Sequence, residues 1–134
     1  MNITSRPVNE SHIDEIAALV QSGSFIINLD HNDVTQTLKG RKGTLYLGTK
    51  DSDTPADSFL SDVFSHLIHQ DPIRRATTIL LSIGLTSDDT LMMSDIPIIN
   101  DFFGELPSKD VESKWGIKTN PIGEPMTILV LCTR

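Results

Sequence analysis

The chain has 134 residues, a formal charge of −7 at pH 7 and an apolar fraction of 38%. These values indicate an ordinary globular protein of one domain with a core of its own. Nucleic acid is not expected as a partner, because phosphate binding needs clustered Lys and Arg side chains. No apolar run reaches the roughly 18 residues that a membrane-spanning helix needs, and the N-terminus lacks the apolar core of a signal peptide. We therefore expect a cytoplasmic protein that does not enter a membrane.

The N-terminal part predicts a leader followed by a helix. Residues 1–10 are predicted to be a loose leader, and residues 11–134 a single domain. Ser11 and Asp14 provide a cap and an acid ahead of a helix with an apolar face. Gly23 is expected to end this helix, because glycine commonly follows the last helical residue.

Helices and strands alternate through the rest of the domain. Val34 and Leu38 predict a short helix that leaves the stretch over 25–34. A brief strand is expected over 44–47 and a capped helix from Thr54. Strands are predicted over 77–83, 111–117 and 126–132, with a helix starting at Ser94 between the first two. The strand over 111–117 alternates apolar and polar residues, which predicts one solvent-exposed face. This order predicts an α+β fold, an α/β sandwich in which helices cover a mixed sheet of about four strands.

The stretch from residue 25 to residue 34 organises the chain. It reads Phe25-Ile26-Ile27-Asn28-Leu29-Asp30-His31-Asn32-Asp33-Val34, an apolar run that enters an acidic turn. Residues 28–33 are called the acidic loop below. Spacing alone favours helix capping, with Asp30 as the N-cap and Asp33 in the first turn.

The same stretch resembles the pattern Gly-Leu-Ile-Asn-Leu-Asp-Phe-Ala-Asp-Val of the C-terminal domain of FtsZ, the bacterial tubulin relative that polymerises at the division site. The agreement is in register at Asn28, Leu29, Asp30, Asp33 and Val34. Weaker similarity over residues 43–48, 79–103, 115–116 and 126–133 extends the resemblance across about residues 11–134. The chain departs from the pattern at the positions of the family's first Gly, its Phe and its Ala, which are occupied here by Phe25, His31 and Asn32.

The resemblance implies the fold of the FtsZ/tubulin C-terminal domain, with its chorismate-mutase-like arrangement, and it implies a role for the acidic loop. In the family, the two loop carboxylates reach the GTP of the next subunit and help to position the attacking water. By this resemblance, Asp30 and Asp33 are catalytic only in trans, on the GTP of a partner. The partner contacts would include Asn28, Leu29, His31 and Asn32. Capping and catalysis can coexist, because a capped loop presents its carboxylates rigidly.

The glycine pattern argues against a nucleotide site within this chain. The family's nucleotide-binding half carries a glycine-rich signature, whereas this sequence has no two adjacent glycines. We therefore expect no cofactor and no enzyme activity of the chain alone. The leading hypothesis is a freestanding FtsZ-like C-terminal domain that binds or caps FtsZ-type GTPase filaments and modulates polymerisation or cell division.

Two other functions remain open from the sequence. The chain could be a self-associating scaffold or binding module that has lost its filament contacts. It could also be a small chorismate-mutase-like enzyme, but no motif surrounds its arginines and Cys132 is better explained as a buried hydrophobe than as a nucleophile. No metal site is expected, since His66 and His69 share a helix face but lack a third ligand nearby in the sequence.

Overall fold

A computed structural model describes residues 2–86 and 95–134. Within these residues six strands form one mixed sheet. They are β1 (Asn2–Asn9), β2 (Ser24–Ile27), β3 (Lys42–Thr49), β4 (Thr78–Leu85), β5 (Glu112–Thr119) and β6 (Thr127–Thr133). Their order across the sheet is β1-β3-β6-β4-β5-β2. The β4 and β5 strands run parallel, and every other neighbouring pair is antiparallel.

Helices cover both faces of the sheet. They are α1 (Ile13–Gln21), α2 (His31–Leu38), α3 (Ala56–Leu67), α4 (Asp71–Arg74) and α5 (Ile96–Gly104), and a 3-10 turn (Glu10–His12) precedes α1. The α1 and α2 helices pack on one face, and α3, α4 and α5 contribute to a separate apolar cluster on the other. The described helices include none that is long and apolar enough to span a bilayer.

The central strands are apolar towards both layers. On β4, Leu80 belongs to the cluster with α1 and α2, whereas Ile79 and Leu81 belong to the cluster with α3, α4 and α5. Each of these three side chains is at most 1% exposed. Continuous apolar runs are typical of strands that are covered on both sides, so the interior position predicted for this strand agrees with the structure. The predicted α+β fold, a mixed sheet packed between helices, is confirmed.

The sheet has two more strands than the sequence predicts, and both lie at its edges. Asn2–Asn9, predicted as a loose leader, is the edge strand β1, which pairs with β3 along its whole length. Only Val8 of β1 is buried, so the strand shows little of the apolar alternation that would have identified it. The other edge strand, β2, contains four residues and includes the apolar run over 25–27 before the acidic loop.

The predicted solvent-exposed face of β5 is present only in the first half of the strand, where Glu112 and Lys114 are exposed. Trp115 and Ile117 pack against the cluster with α3, α4 and α5, as the alternation indicates. On the opposite face, however, Gly116 and Lys118 are buried. Polar residues at alternate positions predict exposure to solvent, but here the layer formed by α1 and α2 covers this part of the strand. The predicted helix cap at Ser94 lies outside the described residues.

Candidate functional site

The acidic loop follows β2 at one edge of the sheet and includes the first turn of α2. The β2 strand pairs with β5, with a register shift between Phe25 and Ile27. Leu29 is 2% exposed and packs in the cluster formed with α1 and α2. Gly116 of β5 permits this packing, because a Cβ there would lie 2.7 Å from the Leu29 Cγ and 2.7 Å from the Ile27 carbonyl oxygen. Leu29 therefore anchors the loop to the sheet.

This placement bears on one predicted partner contact. Leu29 agrees with the FtsZ pattern in register, but its side chain belongs to the core and is closed to a partner. Asn28, His31 and Asn32, the other predicted partner contacts, are exposed. An apolar residue between polar neighbours in a loop is the signal that could have distinguished the anchor from the contacts.

Asp30 and Asp33 form a reciprocal capping box at the start of α2. The Asp33 N–H donates to the Asp30 Oδ1 at 3.0 Å, and the Asp30 N–H donates to the Asp33 Oδ2 at 2.9 Å. Asp30 has extended backbone angles, as an N-cap residue requires. The box satisfies two backbone donors and places both carboxylates near the positive end of the helix. The capping role favoured by their spacing is therefore present in the structure.

The carboxylates of Asp30 and Asp33 nevertheless differ in their accessibility to a partner. The Asp33 side chain is 6% exposed, and its Oδ1 accepts a hydrogen bond from the Lys114 Nζ of β5. Since its Oδ2 holds the Asp30 N–H, both of its oxygens already have donors. Asp30 is exposed, and only its Oδ1 is used in the capping box. Among the two predicted catalytic carboxylates, Asp30 is the one open to solvent.

The environment of Asp33 keeps its carboxyl group ionised. Burial raises the pKa of Asp33, whereas the hydrogen bonds from Lys114 and from the Asp30 N–H, together with the positive charge of Lys114, lower it. The net result is an Asp33 pKa below its ordinary value of 3.8. A carboxylate that stays ionised and accepts a hydrogen bond at each oxygen is suited to holding a loop in place.

His31 connects the start of α2 to α1. Its Nε2 lies 2.8 Å from the Asp14 Oδ1, and its Nδ1 lies 3.2 Å from the Thr35 Oγ1. Thr35 also donates to the His31 carbonyl oxygen at 3.0 Å. The described residues contain no group of three or more His, Cys, Asp or Glu side chains that could hold a metal ion. His31 therefore contributes to the arrangement of the two helices beside the loop.

Comparisons with known proteins identify the fold. No family model and no curated protein matches the sequence. Among solved structures, an empty FtsZ dimer of M. jannaschii matches with a TM-score of 0.60 and 17% identity, covering 92% of this chain and 36% of that chain. A point mutant of M. jannaschii FtsZ matches with a TM-score of 0.57 and 19% identity, covering 90% of this chain and 36% of that chain. A GTPγS-form protofilament structure of TubZ from Bacillus thuringiensis serovar israelensis matches with a TM-score of 0.57 and 16% identity. This match covers 92% of this chain and 33% of that chain.

The chain has the fold of the FtsZ/tubulin C-terminal domain. The resemblance read from residues 25–34 is thus confirmed at the level of the fold. The chain spans about a third of the length of the FtsZ and TubZ chains that it matches. Within this FtsZ-like fold, the acidic loop runs from the end of an edge strand into the first turn of a helix.

Two lysines of β5 also hold the backbone around the site, and neither lies in a motif that would have predicted this role. Lys114 holds Asp33, and Lys118, which is 5% exposed, donates to the Leu19 carbonyl oxygen at 2.6 Å and to the Ser22 Oγ at 2.7 Å. Burial lowers the pKa of the Lys118 ammonium group. Their spacing of four residues puts both lysines on one face of the strand, which was the available sequence signal. That signal could not indicate that two helices cover this face.

Proposed function

We propose that this FtsZ-like chain binds the nucleotide-bearing face of an FtsZ- or TubZ-type GTPase subunit through its acidic loop, and so modulates filament growth and cell division. The observation that carries the proposal is the exposed Asp30 carboxylate, held by a capping box in a fold shared with those filament-forming proteins. Exposed Asn28, His31 and Asn32 surround it and offer further hydrogen-bonding groups to the partner.

The expected consequence for a filament is capping. The 134 residues have no adjacent glycines from which a phosphate-binding loop of the family's kind could form. When this chain occupies the end of a filament, it therefore presents no nucleotide to the loop of a following subunit. Growth at that end stops, and filaments become shorter as the ratio of this chain to GTPase subunits rises.

A contribution to GTP hydrolysis would fall to Asp30. An exposed carboxylate can orient water for in-line attack on a γ-phosphate supplied by the partner. Asp33 already has donors at both oxygens, so it would support Asp30 rather than contact the water. The chain alone is expected to hydrolyse nothing, and any activity would belong to the complex.

The test is to mix the purified chain with FtsZ from the same source and GTP, then measure pelleting and phosphate release. We expect less pelleted polymer or an altered hydrolysis rate at equimolar ratios. Asp30→Asn retains an N-cap side chain but removes the charge, and it should spare binding more than turnover. The matched control is Asp62→Asn, a change of the same charge at an exposed position on α3. Unchanged pelleting and phosphate release at molar excess of the wild-type chain would refute the proposal.

One observation favours self-association as a second candidate. Within the described residues, no strand pairs with the outer edge of β2, and Ile27 on this strand is 40% exposed. Leu19 of α1 adds a second large apolar side chain, 41% exposed. Open strand edges with apolar side chains can pair with another copy of the same chain. Light scattering during size-exclusion chromatography would show a dimer, and Ile27→Lys would shift it to monomer; a wild-type monomer at high concentration would exclude this candidate.

A further inference from the structure

A continuous set of contacts runs from β5 to the backbone of the acidic loop. The Lys114 Nζ donates to the Asp33 Oδ1, the Asp33 Oδ2 accepts from the Asp30 N–H, and the Asp30 Oδ1 accepts from the Asp33 N–H. Lys114 is 81 residues away from Asp33 in sequence, so this contact is purely tertiary. It ties the loop to β5, where Lys114 lies opposite Leu80 of the parallel strand β4.

The exposure of the two partners explains why the contact matters. Asp33 is nearly buried, whereas 61% of the Lys114 side chain is exposed. An ionised carboxylate in a buried position needs donors to compensate for the water that it has lost. The capping box supplies one donor, and Lys114 supplies the charged one. Without Lys114, the most favourable response for Asp33 is to turn towards water or to take up a proton.

Either response would disturb Asp30. If Asp33 turned outward, its Oδ2 would leave the Asp30 N–H, and the capping box would open. A cleft of about 320 Å³ beside the pair, lined in part by Gln36, Glu112 and Lys114, gives the carboxylate room to turn. The backbone N–H of Asp30 would then lose its acceptor, and the Asp30 carboxylate would be held only by the hydrogen bond from the Asp33 N–H.

We propose that Lys114 is the positioning residue of the acidic loop: acting through Asp33, it fixes the backbone of Asp30, so that the Asp30 carboxylate alone is presented to a partner. The second half of this proposal rests on the proposed function, whereas the first half concerns the isolated chain. Lys114 is not itself a catalytic residue, because its ammonium group is directed to Asp33.

The isolated chain provides the first test, by hydrogen exchange at the Asp30 amide. Lys114→Met keeps the apolar stem and removes the charge, and we expect exchange at the Asp30 N–H to become roughly fivefold to tenfold faster. Lys114→Arg should restore slow exchange, since a guanidinium can also donate to the carboxylate. The matched control is Lys39→Met, which removes the same charge at the other end of α2 and should leave this amide unchanged.

Two further readouts separate positioning from general destabilisation. In Lys114→Met the Asp33 carboxyl should titrate at a higher pH than in the wild type, as followed by carbon NMR of its side chain. Amides in the centre of β4 should keep their protection, because they report global unfolding. Unchanged exchange at the Asp30 amide, or equal acceleration at β4, would overturn the positioning role.

Binding to a polymerised FtsZ-type GTPase tests the second half of the proposal, that Lys114 leads to the presentation of the Asp30 carboxylate to a partner. Lys114→Met should weaken binding by roughly fivefold to tenfold, Lys114→Arg should recover it, and Lys39→Met should match the wild type. If the wild-type chain does not bind, the proposed function fails, and the exchange experiment still decides whether Lys114 positions the loop. If the wild type binds and Lys114→Met binds equally well despite faster exchange, the presentation of Asp30 by Lys114 is refuted.

Discussion

The two faces of the sheet are covered by different means, although the same strands supply both. The layer with α3, α4 and α5 meets the sheet through apolar side chains, including stacked Phe64 and Phe102 rings with centroids 4.7 Å apart. The layer with α1 and α2 has a smaller apolar cluster and two lysines that emerge from β5. Non-directional apolar packing stabilises the domain, whereas directional hydrogen bonds from the lysines fix particular backbone groups. On the face that carries the acidic loop, such contacts come from Lys114 and Lys118 of the sheet itself.

The largest effect should come from the core, and adjacent residues of β4 allow both faces to be compared. Leu81→Ala and Leu80→Ala each remove a side chain that is at most 1% exposed, so each should lower the free energy of unfolding by about 2–5 kcal/mol. Denaturant titration measures this loss. Only Leu80→Ala, on the α1 and α2 face, should also accelerate amide exchange in the acidic loop by more than its loss of global stability explains. Equal acceleration in the loop by both variants would contradict the separation of the two apolar clusters.

Lys118→Met should have the next largest effect. The change leaves the Leu19 carbonyl oxygen and the Ser22 hydroxyl without their charged donor at the C-terminal end of α1. We expect a loss of about 1–2 kcal/mol in unfolding free energy by denaturant titration. Lys109→Met serves as the control, because Lys109 is exposed and donates to a carbonyl oxygen on the other layer. If Lys118→Met lowers the unfolding free energy no more than Lys109→Met does, the hydrogen bonds of Lys118 do not stabilise the fold.

A smaller, pH-dependent effect should come from Asp33. Its folded-state pKa lies below the ordinary value of 3.8, so its ionised form stabilises the fold above that pH, and this stability is lost as pH falls through the folded pKa. Between about pH 5 and the folded pKa, the wild type should therefore lose more stability than Asp33→Asn. Asp62→Asn is the control for an exposed carboxylate. Parallel pH profiles for the wild type and Asp33→Asn would contradict the depressed pKa.

The smallest effect on stability should come from Asp30. Asn is as good an N-cap as Asp, so Asp30→Asn should change the unfolding free energy by less than about 0.5 kcal/mol, whereas Asp30→Ala should cost about 1 kcal/mol. Thermal unfolding of the two variants checks this order. A loss in Asp30→Asn as large as in Asp30→Ala would show that the charge itself, rather than the cap, supports the loop.

The fold was predictable where apolar periodicity was strong. The covered faces of β4 and β6 follow from runs such as Ile79-Leu80-Leu81, because burial on two sides leaves a continuous apolar sequence. The covered face of α3 follows from apolar residues at helical spacing. The edge strand β1 was not predictable in this way, since its backbone pairing with β3 does not depend on the character of its side chains. A polar strand therefore resembles a loop until its partner is known.

For the candidate site, the sequence determined the local chemistry and the tertiary structure decided which group is accessible. The spacing of Asp30 and Asp33 was enough to predict a helix cap, because a capping box involves only four consecutive residues. That Asp33 is nearly buried against Lys114 while Asp30 faces solvent depends on a strand 81 residues away, placed there by the order of the sheet. Local hydrogen bonds can be read from a sequence, but exposure is a property of the packed layers.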